Sequence, residues 1–367
     1  MKICLIGRYN TSEKLNGPEK FAKRLLSNLI KKNSDVIFIE YFFKDYVKGN
    51  LFKRIFGHSK ISSALPVYQL GIFQIFKTIF LTKPDIIHIV TMEYFVLTIL
   101  LIKPFLNSKI VITTHGLIRH ERSIAKNKGV FSRYFIATSF ERLLFMLVDE
   151  QVFVSNILLD LSQKYYGNIV KKTKIIRNGI DEIFYRRKVI RQFGNKIKIV
   201  FYLGDPYSID RGLTFLLNSF KKMGIEKFEI YLIGEKINFQ EPWNKVFISV
   251  PVMKTKKLVE FLSDKNLIFK SNTFDSFPIF VIECMSLGLI PIVSDATGSK
   301  EIIINHQNGF IYNSKDQKSL INLLNELHNN KYNLEEISIE ASKIYQNYNW
   351  DKITEEYNIE YKKLSTN

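Results

Sequence analysis

The sequence predicts an α/β protein with two domains, each built on a parallel β-sheet. Apolar runs of strand length alternate with helix-length segments along nearly the whole chain, which is typical of βαβ units. The 367 residues are long for one core and suit two. A hydrophobic content of 46% provides enough apolar side chains to fill both cores. Residues 186–196 are charged and polar, so we place the linker there, between domains at residues 1–185 and 186–349.

The first half begins with a short apolar strand and a loop that leads into a helix. The strand is predicted at residues 2–7, and the helix covers about residues 19–32. Asn16, Gly17 and Pro18 mark a tight turn just before that helix. Further strands are predicted at residues 36–42, 86–90, 109–113, 151–155 and 174–177, and further helices at residues 67–80, 94–102, 136–148 and 156–166.

The second half repeats the alternation of strands and helices. Strands are predicted at residues 197–203, 227–234, 267–271 and 290–293, and helices at residues 254–263, 278–287, 319–328, 334–348 and 349–364. Ligands of parallel sheets bind beyond the carboxyl ends of the strands. We therefore expect the functional residues at strand ends and at helix starts.

The net charge of +18 is concentrated in the first half. Residues 1–185 contain 28 Lys and Arg against 14 Asp and Glu, whereas the remainder contains 25 against 21. Such a basic half suits nucleic acid, an anionic membrane surface or an anionic substrate. Residues 44–60 are predicted to be irregular and interleave cations with aromatic rings, which suits single-stranded nucleic acid or an acidic bilayer. Because no RNA-binding signature is present, we expect no nucleic-acid partner and favour the bilayer over an ordinary solvated surface.

The cysteines and the apolar runs indicate a cytoplasmic protein. Cys4 falls in the predicted first strand and Cys284 in a predicted buried helix, so we expect two reduced core residues rather than a disulfide. The apolar run at residues 2–7 is too short for a signal peptide, and no run reaches the length of about 18 residues that spans a bilayer. The basic half adds the expectation of peripheral attachment to the inner face of the cytoplasmic membrane. No Cys/His spacing resembles a zinc site, so we expect no metal.

The most informative stretch is residues 275–294, in which one carboxylate interrupts an apolar helix. Pro278 suits the first turn of that helix and Gly288 suits its end. Glu283 is the single charged residue between Phe277 and Val293, and a buried carboxylate is costly unless something binds it. Either Glu283 meets a buried Arg or backbone amides, or it binds a ligand near the helix N-terminus. That N-terminus offers free N–H groups and partial positive charge, which suit a phosphate.

In this stretch an acid and a Glu are separated by seven residues, and a small-x-Gly turn and a strand follow the Glu. This pattern resembles the E-x7-E region of retaining GT-B glycosyltransferases of family 4. The resemblance implies that Glu283 holds the ribose of a nucleotide sugar and that the acid before it contacts the sugar. The helix N-terminus at Pro278, Ile279 and Phe280 would receive the diphosphate. Asp275 stands where the family has Glu, so its contact with the sugar would be one methylene shorter.

Other motifs extend the resemblance over nearly the whole chain. Thr114-His115-Gly116 follows a predicted strand, as in relatives whose His contacts the donor sugar, although a His at a strand end is otherwise a structural residue. Residues 178–181, Asn-Gly-Ile-Asp, match the turn that ends the first domain. Gly17 lies where the family has a glycine pair near the donor phosphates. The basic segment that begins at Arg119 is expected to be a loop facing an anionic, lipid-linked acceptor, with a solvated loop as the alternative.

Two positions bear on the strength of catalysis. Arg211 stands where the family has a Lys that neutralises the diphosphate, but Asp205 replaces a second expected cation, an Arg. A leaving diphosphate needs positive charge, and Lys270 and Lys300 are candidates to supply it. The alternative is a catalytically weakened GT-B protein that acts as the partner or scaffold of an active transferase.

The resemblance implies a GT-B fold, in which two Rossmann-like domains face each other across a cleft and the last helix, residues 350–367, packs back on the first. It also implies transfer of a sugar from a nucleotide-sugar donor to a glycan or lipid-linked acceptor in surface polysaccharide synthesis, with retention at the anomeric carbon. The donor is a substrate, and no cofactor is implied. Asp275, Glu283 and His115 are the expected catalytic residues.

Overall fold

In a computed structural model of the chain, the described residues form two compact units. One unit is Met1–Asn178 together with Trp350–Asn367, and the other is Gly179–Asn349. The structure describes residues 1–9, 17–32, 34–41, 51–62, 64–93, 95–124, 131–170, 172–186, 191–194, 196–203, 212–222, 228–234, 236–270 and 274–366.

The first unit is built on an eight-stranded sheet. Its strands are β1 (Lys2–Ile6), β2 (Asp35–Tyr41), β3 (His58–Lys60), β4 (Val67–Leu70), β5 (Ile86–Ile89), β6 (Lys109–Thr114), β7 (Glu150–Phe153) and β8 (Thr173–Ile175). They lie in the order β3-β4-β2-β1-β5-β6-β7-β8, and every neighbouring pair is parallel except β3 with β4. The helices are α1 (Gly17–Lys31), α2 (Leu51–Phe56), α3 (Ile72–Thr82), α4 (Val96–Ile102), α5 (Ile118–Ile124), α6 (Phe131–Leu147) and α7 (Asn156–Tyr166).

One predicted helix of the first unit is partly wrong. Residues 67–70, expected as the start of a helix at 67–80, form β4, which pairs in parallel with β2 from Val67 to Leu70. Helix α3 begins only after Gly71, where a Cβ atom would lie 2.6 Å from the backbone of Ile55. Pairing with a distant strand therefore overrides the local helical pattern. Residues 51–60, expected to be irregular, form α2 and β3, and residues 42–50 lie outside the described part of the chain.

The second unit has a six-stranded sheet that is parallel throughout. Its strands are β9 (Ile197–Tyr202), β10 (Phe228–Ile233), β11 (Phe247–Val250), β12 (Leu267–Lys270), β13 (Ile290–Ser294) and β14 (Phe310–Tyr312), in the order β11-β10-β9-β12-β13-β14. The helices are α8 (Leu213–Lys221), α9 (Thr255–Leu262), α10 (Ile279–Ser286), α11 (Gln317–His328), α12 (Leu334–Ser342) and α13 (Tyr345–Tyr348). Its main core combines aromatic and branched aliphatic side chains from strands and flanking helices.

The division between the units lies earlier in the chain than the sequence division at residue 186. Residues 179–185 belong with the second unit, because Ile180 N donates to Tyr348 O at 2.7 Å and Ser286 Oγ donates to Phe184 O at 3.4 Å. The segment expected as a linker also contains Arg191, which is buried in the second unit.

The last helix, α14 (Trp350–Thr366), packs against the first unit through a buried polar network. His88 in β5 hydrogen-bonds to the Tyr361 hydroxyl through Nδ1 (2.5 Å) and to Thr113 Oγ1 through Nε2 (2.7 Å). The hydroxyls of Thr113 and Tyr357 are 2.9 Å apart. These contacts fix the end of β6, from which His115 follows. In the described part of the chain, no helix combines the length and the apolar character needed to cross a bilayer.

Candidate functional site

A pocket of about 210 Å³ lies at the carboxyl ends of three adjacent strands of the first unit. Strands β1, β5 and β6 are neighbours in the sheet, so the residues that follow them come together at one edge. The starts of α1 and α5 complete the lining. The lining residues are Arg8, Pro18, Glu19, Thr91, Met92, Glu93, Thr113, His115, Gly116, Ile118 and Glu121.

Glycines allow the close approaches that shape this pocket. A Cβ atom at Gly7 would lie 2.6 Å from Thr91 Oγ1, so only glycine lets the ends of β1 and β5 approach this closely. The next residue, Arg8, then donates its backbone N–H to Thr91 Oγ1 at 2.8 Å. A Cβ atom at Gly116 would lie 2.5 Å from Glu121 Oε1, so this glycine leaves room for a carboxylate at the pocket edge.

His115 lies in the pocket, directly after β6. Its ring contacts the edge of Phe21, with a centroid distance of 4.6 Å and an interplanar angle of 64°. Burial lowers the pKa of His115 to about 3, so the imidazole is neutral near pH 7. A neutral imidazole interacts through hydrogen bonds rather than through charge. The structure therefore places His115 where a ligand in the pocket could contact it.

Carboxylates dominate the electrostatics of the pocket. Glu19 is buried at the start of α1, and Glu93 lies 3.6 Å from Arg8 Nε, measured at Oε1. Burial raises the pKa of Glu93, with Arg8 partly opposing the effect. Behind the rim, Glu40 accepts a hydrogen bond from Tyr9 N at 2.9 Å, and burial raises the pKa of Glu40 to about 7. No group of His, Cys, Asp and Glu able to hold a metal was found in the described residues.

The segment expected as a basic loop is instead mostly helical where it is described. Residues 118–124 form α5, because the buried Glu141 carboxylate accepts hydrogen bonds from the first two N–H groups, those of Ile118 (2.7 Å) and Arg119 (3.1 Å). The guanidinium of Arg119 lies over the Tyr165 ring and donates to Tyr165 O at 3.0 Å. This cation is thus tied to α7. Lys126 and Lys128 lie outside the described residues.

In the second unit, α10 carries Glu283 as predicted. Seven of its eight residues are buried, and Glu283 itself is only 4% exposed. Pro278 is the cap residue that precedes the first turn rather than a member of it, and Gly288 follows the helix with φ +85°, a conformation that favours glycine. Phe280 packs on Tyr202 at the end of β9, with ring centroids 5.2 Å apart.

The buried arginine of this unit binds carbonyl groups. Arg191 donates to the carbonyl oxygens of Leu262 (2.6 Å), Ser263 (2.7 Å), Lys265 (2.7 Å) and Leu287 (2.5 and 3.0 Å). It therefore joins the carboxyl ends of α9 and α10. None of these hydrogen bonds goes to Glu283, so Arg191 is not the buried arginine that would neutralise that carboxylate.

Asp275 lies between β12 and α10, and two contacts fix it. Lys270 at the end of β12 forms an ion pair with it, with Nζ 2.7 Å from Asp275 Oδ2 and side chains only 14% and 28% exposed. The Asp275 carbonyl accepts a hydrogen bond from Gly298 N at 2.8 Å, next to a bridge between Asp275 and Thr297. The loop before α10 is thereby joined to the turn after β13.

The predicted site residues fall into two groups, one in each unit. His115 lies in the pocket of the first unit, whereas Gly17 is the exposed first residue of α1 and only its neighbours Pro18 and Glu19 line that pocket. Asp275, Pro278, Ile279, Phe280 and Glu283 lie on α10 and the loop before it. Arg211, like Asp205, lies outside the described residues. The sequence analysis missed Arg8, Glu19 and Glu93. The feature that could have identified them is their position after a strand or at a helix start.

Two sheets, one parallel throughout and one parallel except for β3 with β4, and their flanking helices define the fold as α/β of the GT-B type. The sequence model of the family described as Glycosyltransferase Family 4 matches residues 15–183. The sequence model of the family described as Glycosyl transferases group 1 matches residues 190–344. The chain belongs to this family of GT-B glycosyltransferases. No curated protein sequence matches it significantly.

Solved structures with the same fold cover nearly all of the chain. Sucrose-phosphate synthase from Thermosynechococcus elongatus is 13% identical, covering 99% of this chain and 98% of its own, with a TM-score of 0.76. A glycosyltransferase from Rickettsia africae is 15% identical, covering 100% and 99%, with a TM-score of 0.72. Anabaena HepE in complex with UDP is 13% identical, covering 99% and 100%, with a TM-score of 0.71. Because the sequence identities are this low, the similarity to these structures establishes the fold alone.

Proposed function

We propose that this protein transfers a sugar, with retention at the anomeric carbon, from a nucleotide-sugar donor to a glycan or lipid-linked acceptor in the synthesis of a surface polysaccharide. The observation that carries the proposal is the single carboxylate of Glu283, 4% exposed within the apolar helix α10. A carboxylate is rare in so apolar a helix, and the family resemblance assigns this position to the ribose of a nucleotide sugar.

The second unit supplies the donor site in this proposal. Side chains lean toward the N-terminus of their helix, so Glu283 leans toward the start of α10, where it would accept the ribose hydroxyls. The N-terminus of α10, which begins after Pro278, would receive the diphosphate through the N–H groups of Ile279 and Phe280, since proline has none. Asp275 would hold the hydroxyls of the sugar. HepE was solved with UDP and with UDP-glucose, and starch synthase IV from Arabidopsis thaliana with ADP, which supports a nucleotide at this fold without selecting the base.

Lys270 is our candidate to replace the cation missing at position 205, where this chain has Asp and the family has Arg. It ends β12, the neighbour of β9 in the sheet, and residues 204–211 follow β9. Its ammonium group carries three N–H donors, and in this proposal one binds Asp275 while another binds a phosphate oxygen. Lys270 would thus orient the acid that holds the sugar and stabilise the leaving diphosphate. Side chains and a helix end would then neutralise the phosphates without a metal.

The pocket of the first unit would bind the acceptor. Its carboxylates, those of Glu19, Glu93 and Glu121, suit the hydroxyl groups of a sugar, and the neutral His115 adds a further hydrogen-bonding group. No carboxylate pair here or in α10 is assigned as a covalent nucleophile, so the donor phosphate would accept the acceptor proton. The free, buried cysteines Cys4 and Cys284 agree with a reducing compartment, so we place the reaction in the cytoplasm.

The test is a thermal-shift and calorimetric screen of the full chain against UDP, GDP, dTDP and ADP and their sugars. We expect one nucleotide to bind, and Glu283→Gln to weaken that binding on the order of 10- to 100-fold, because charge-assisted hydrogen bonds contribute about 1.5–3 kcal/mol each. Glu141→Gln is the matched control, since it neutralises another buried glutamate, one that caps α5 in the first unit. It should change stability but leave nucleotide affinity intact.

Two results would separate the alternatives. Unchanged affinity for every nucleotide in Glu283→Gln would refute the assignment of the donor site. Tight nucleotide binding without transfer or hydrolysis, over a range of acceptors, would favour the weakened partner or scaffold protein instead. Where transfer occurs, the NMR coupling of the new anomeric proton shows whether the configuration of the donor is retained.

A further inference from the structure

Five large apolar side chains are exposed on two adjacent helices of the first unit. The exposed fractions are 70% for Phe52, 44% for Phe56, 52% for Phe73, 43% for Phe80 and 72% for Leu81. The ring centroids of Phe52 and Phe56 are 5.2 Å apart, and those of Phe56 and Phe73 are 5.5 Å apart, so α2 and α3 share one aromatic cluster. Phe80 and Leu81 follow Phe73 by seven and eight residues and so continue the same face of α3. We call these five residues the α2–α3 surface.

The folded unit does not need these side chains for its own core. The opposite side of α3 is already anchored by Ile75 and Ile79, both fully buried. In the second unit, Ile304 (58%) and Ile339 (60%) are also exposed, but they are two aliphatic residues, one shortly before β14 and one in α12, and form no aromatic pair. A clustered, exposed apolar face indicates an interaction site, whereas single exposed apolar residues are normal on protein surfaces.

The charged residues of the segment that carries the α2–α3 surface have a single sign. Residues 51–83 contain five cations and no Asp or Glu, and the cations are Lys53, Arg54, Lys60, Lys77 and Lys83. Lys77 is exposed on α3 between Phe73 and Phe80, and Lys60 is exposed on β3. A partner that buries this face therefore meets the cations of this segment, and negative charge on the partner would favour binding.

We propose that the α2–α3 surface binds the face of a lipid bilayer that contains anionic phospholipids. Aromatic and leucine side chains partition into the boundary between headgroups and acyl chains, and lysines pair with anionic headgroups in the same plane. A second copy of this chain is a poorer occupant, because two such faces would bring like charges together. The proposal extends the proposed function, since a lipid-linked acceptor lies at such a surface, but bilayer binding itself requires no catalysis.

The experiment is co-sedimentation of the full chain with phosphatidylcholine vesicles that contain about a third phosphatidylglycerol, compared with vesicles of phosphatidylcholine alone. We expect binding to the anionic vesicles that weakens as salt is added. Phe52→Ser/Leu81→Ser should reduce the partition constant at least about tenfold, since it removes the two most exposed apolar side chains of the face. Lys60→Glu/Lys77→Glu should reduce it by a similar or larger factor, because each basic residue near an anionic bilayer contributes about fivefold.

Matched variants in the second unit control for general loss of hydrophobicity or charge. Ile304→Ser/Ile339→Ser and Lys257→Glu/Lys315→Glu also change exposed residues and should bind vesicles as the unmodified protein does. Circular dichroism should show Phe52→Ser/Leu81→Ser to be as folded as the unmodified protein, because both side chains are mostly exposed.

Three results would overturn the proposal. They are no binding to anionic vesicles at low salt, an equal loss in the second-unit variants, and a dimer of the unmodified protein that Phe52→Ser/Leu81→Ser dissociates. The third would make the face an interface between copies. Nucleotide affinity is measured in parallel, so a protein that binds vesicles but no nucleotide would refute the donor site and leave the membrane surface standing.

Discussion

The two units hold their buried charges in different ways. The first unit brings several carboxylates to one pocket, where burial raises the pKa of Glu93, and behind the rim burial raises the pKa of Glu40 to about 7. The second unit uses single charges with separate partners: Arg191 binds carbonyl groups, and Lys270 pairs with Asp275. The raised pKa of Glu40 makes the region behind the first pocket sensitive to protons near neutral pH. Separate charges make the second site depend on individual residues.

The largest effect should come from removing the buried arginine of the second unit. Arg191→Met leaves four carbonyl groups at the ends of α9 and α10 without their donor, so we expect a loss of about 3–5 kcal/mol in the free energy of unfolding. Chemical denaturation measures this loss. Arg119→Met in the first unit is the control, because that guanidinium donates to one carbonyl and stacks on a ring, and it should cost about 1 kcal/mol. Equal losses in the two variants would contradict the contrast between the units.

The next effect concerns protons. Because the pKa of Glu40 is higher in the folded chain than its ordinary value near 4.5, the folded state keeps this proton longer, and stability falls as pH rises from about 4.5 to about 7. Glu40→Gln removes this dependence. It should therefore gain stability relative to the unmodified protein over that interval, by on the order of 3 kcal/mol at most. Urea denaturation at several pH values provides the measurement.

Glu150 offers a matched control away from the pocket. Burial, helped by the nearby charge of Glu360, also raises the pKa of Glu150 to about 7. Glu150→Gln should show the same sign of stability change, but only Glu40→Gln should alter the pH dependence of acceptor binding. If both variants shift acceptor binding alike, Glu40 has no special relation to the pocket.

The smallest of these effects is on turnover at the donor site. Lys270→Met should lower kcat about 10- to 100-fold, because a cation that stabilises a leaving group contributes mainly in the transition state, while the KM for the donor changes little. Lys198→Met is a suitable control, since that lysine pairs with Asp264 at the surface, 2.9 Å away, at the start of β9. An unchanged kcat in Lys270→Met would contradict the hypothesis that Lys270 replaces the cation missing at position 205.

Local patterns predicted most elements, and the failures share a cause. The strand, helix and Gly288 turn around Glu283 were predicted because each depends on neighbouring residues, and the buried state of Glu283 is confirmed. Both cysteines are buried and free, as expected. Val67–Leu70 was assigned to a helix because its pairing with β2 is a long-range contact. Arg191 was assigned to a linker because its carbonyl partners lie about 70 to 100 residues further along the chain.

The same limit applies to the candidate sites. His115 could be selected from a motif, whereas the pocket around it could not, because Arg8, Glu19 and Glu93 meet only when three strands align. The partnership of Lys270 with Asp275 was likewise hidden, although Lys270 had been considered as a compensating cation. Its ion pair with Asp275 turns that candidate into a specific hypothesis.

The central claim is that a nucleotide sugar binds at α10, and hydrogen–deuterium exchange with and without a saturating nucleotide tests it most directly. We predict slower exchange in the peptides that cover Ile279–Ser286 and the following turn at Gly298–Ile302, with no comparable change in α7 of the first unit. Slower exchange confined to the first unit, at a nucleotide concentration shown by calorimetry to saturate the protein, would contradict the claim.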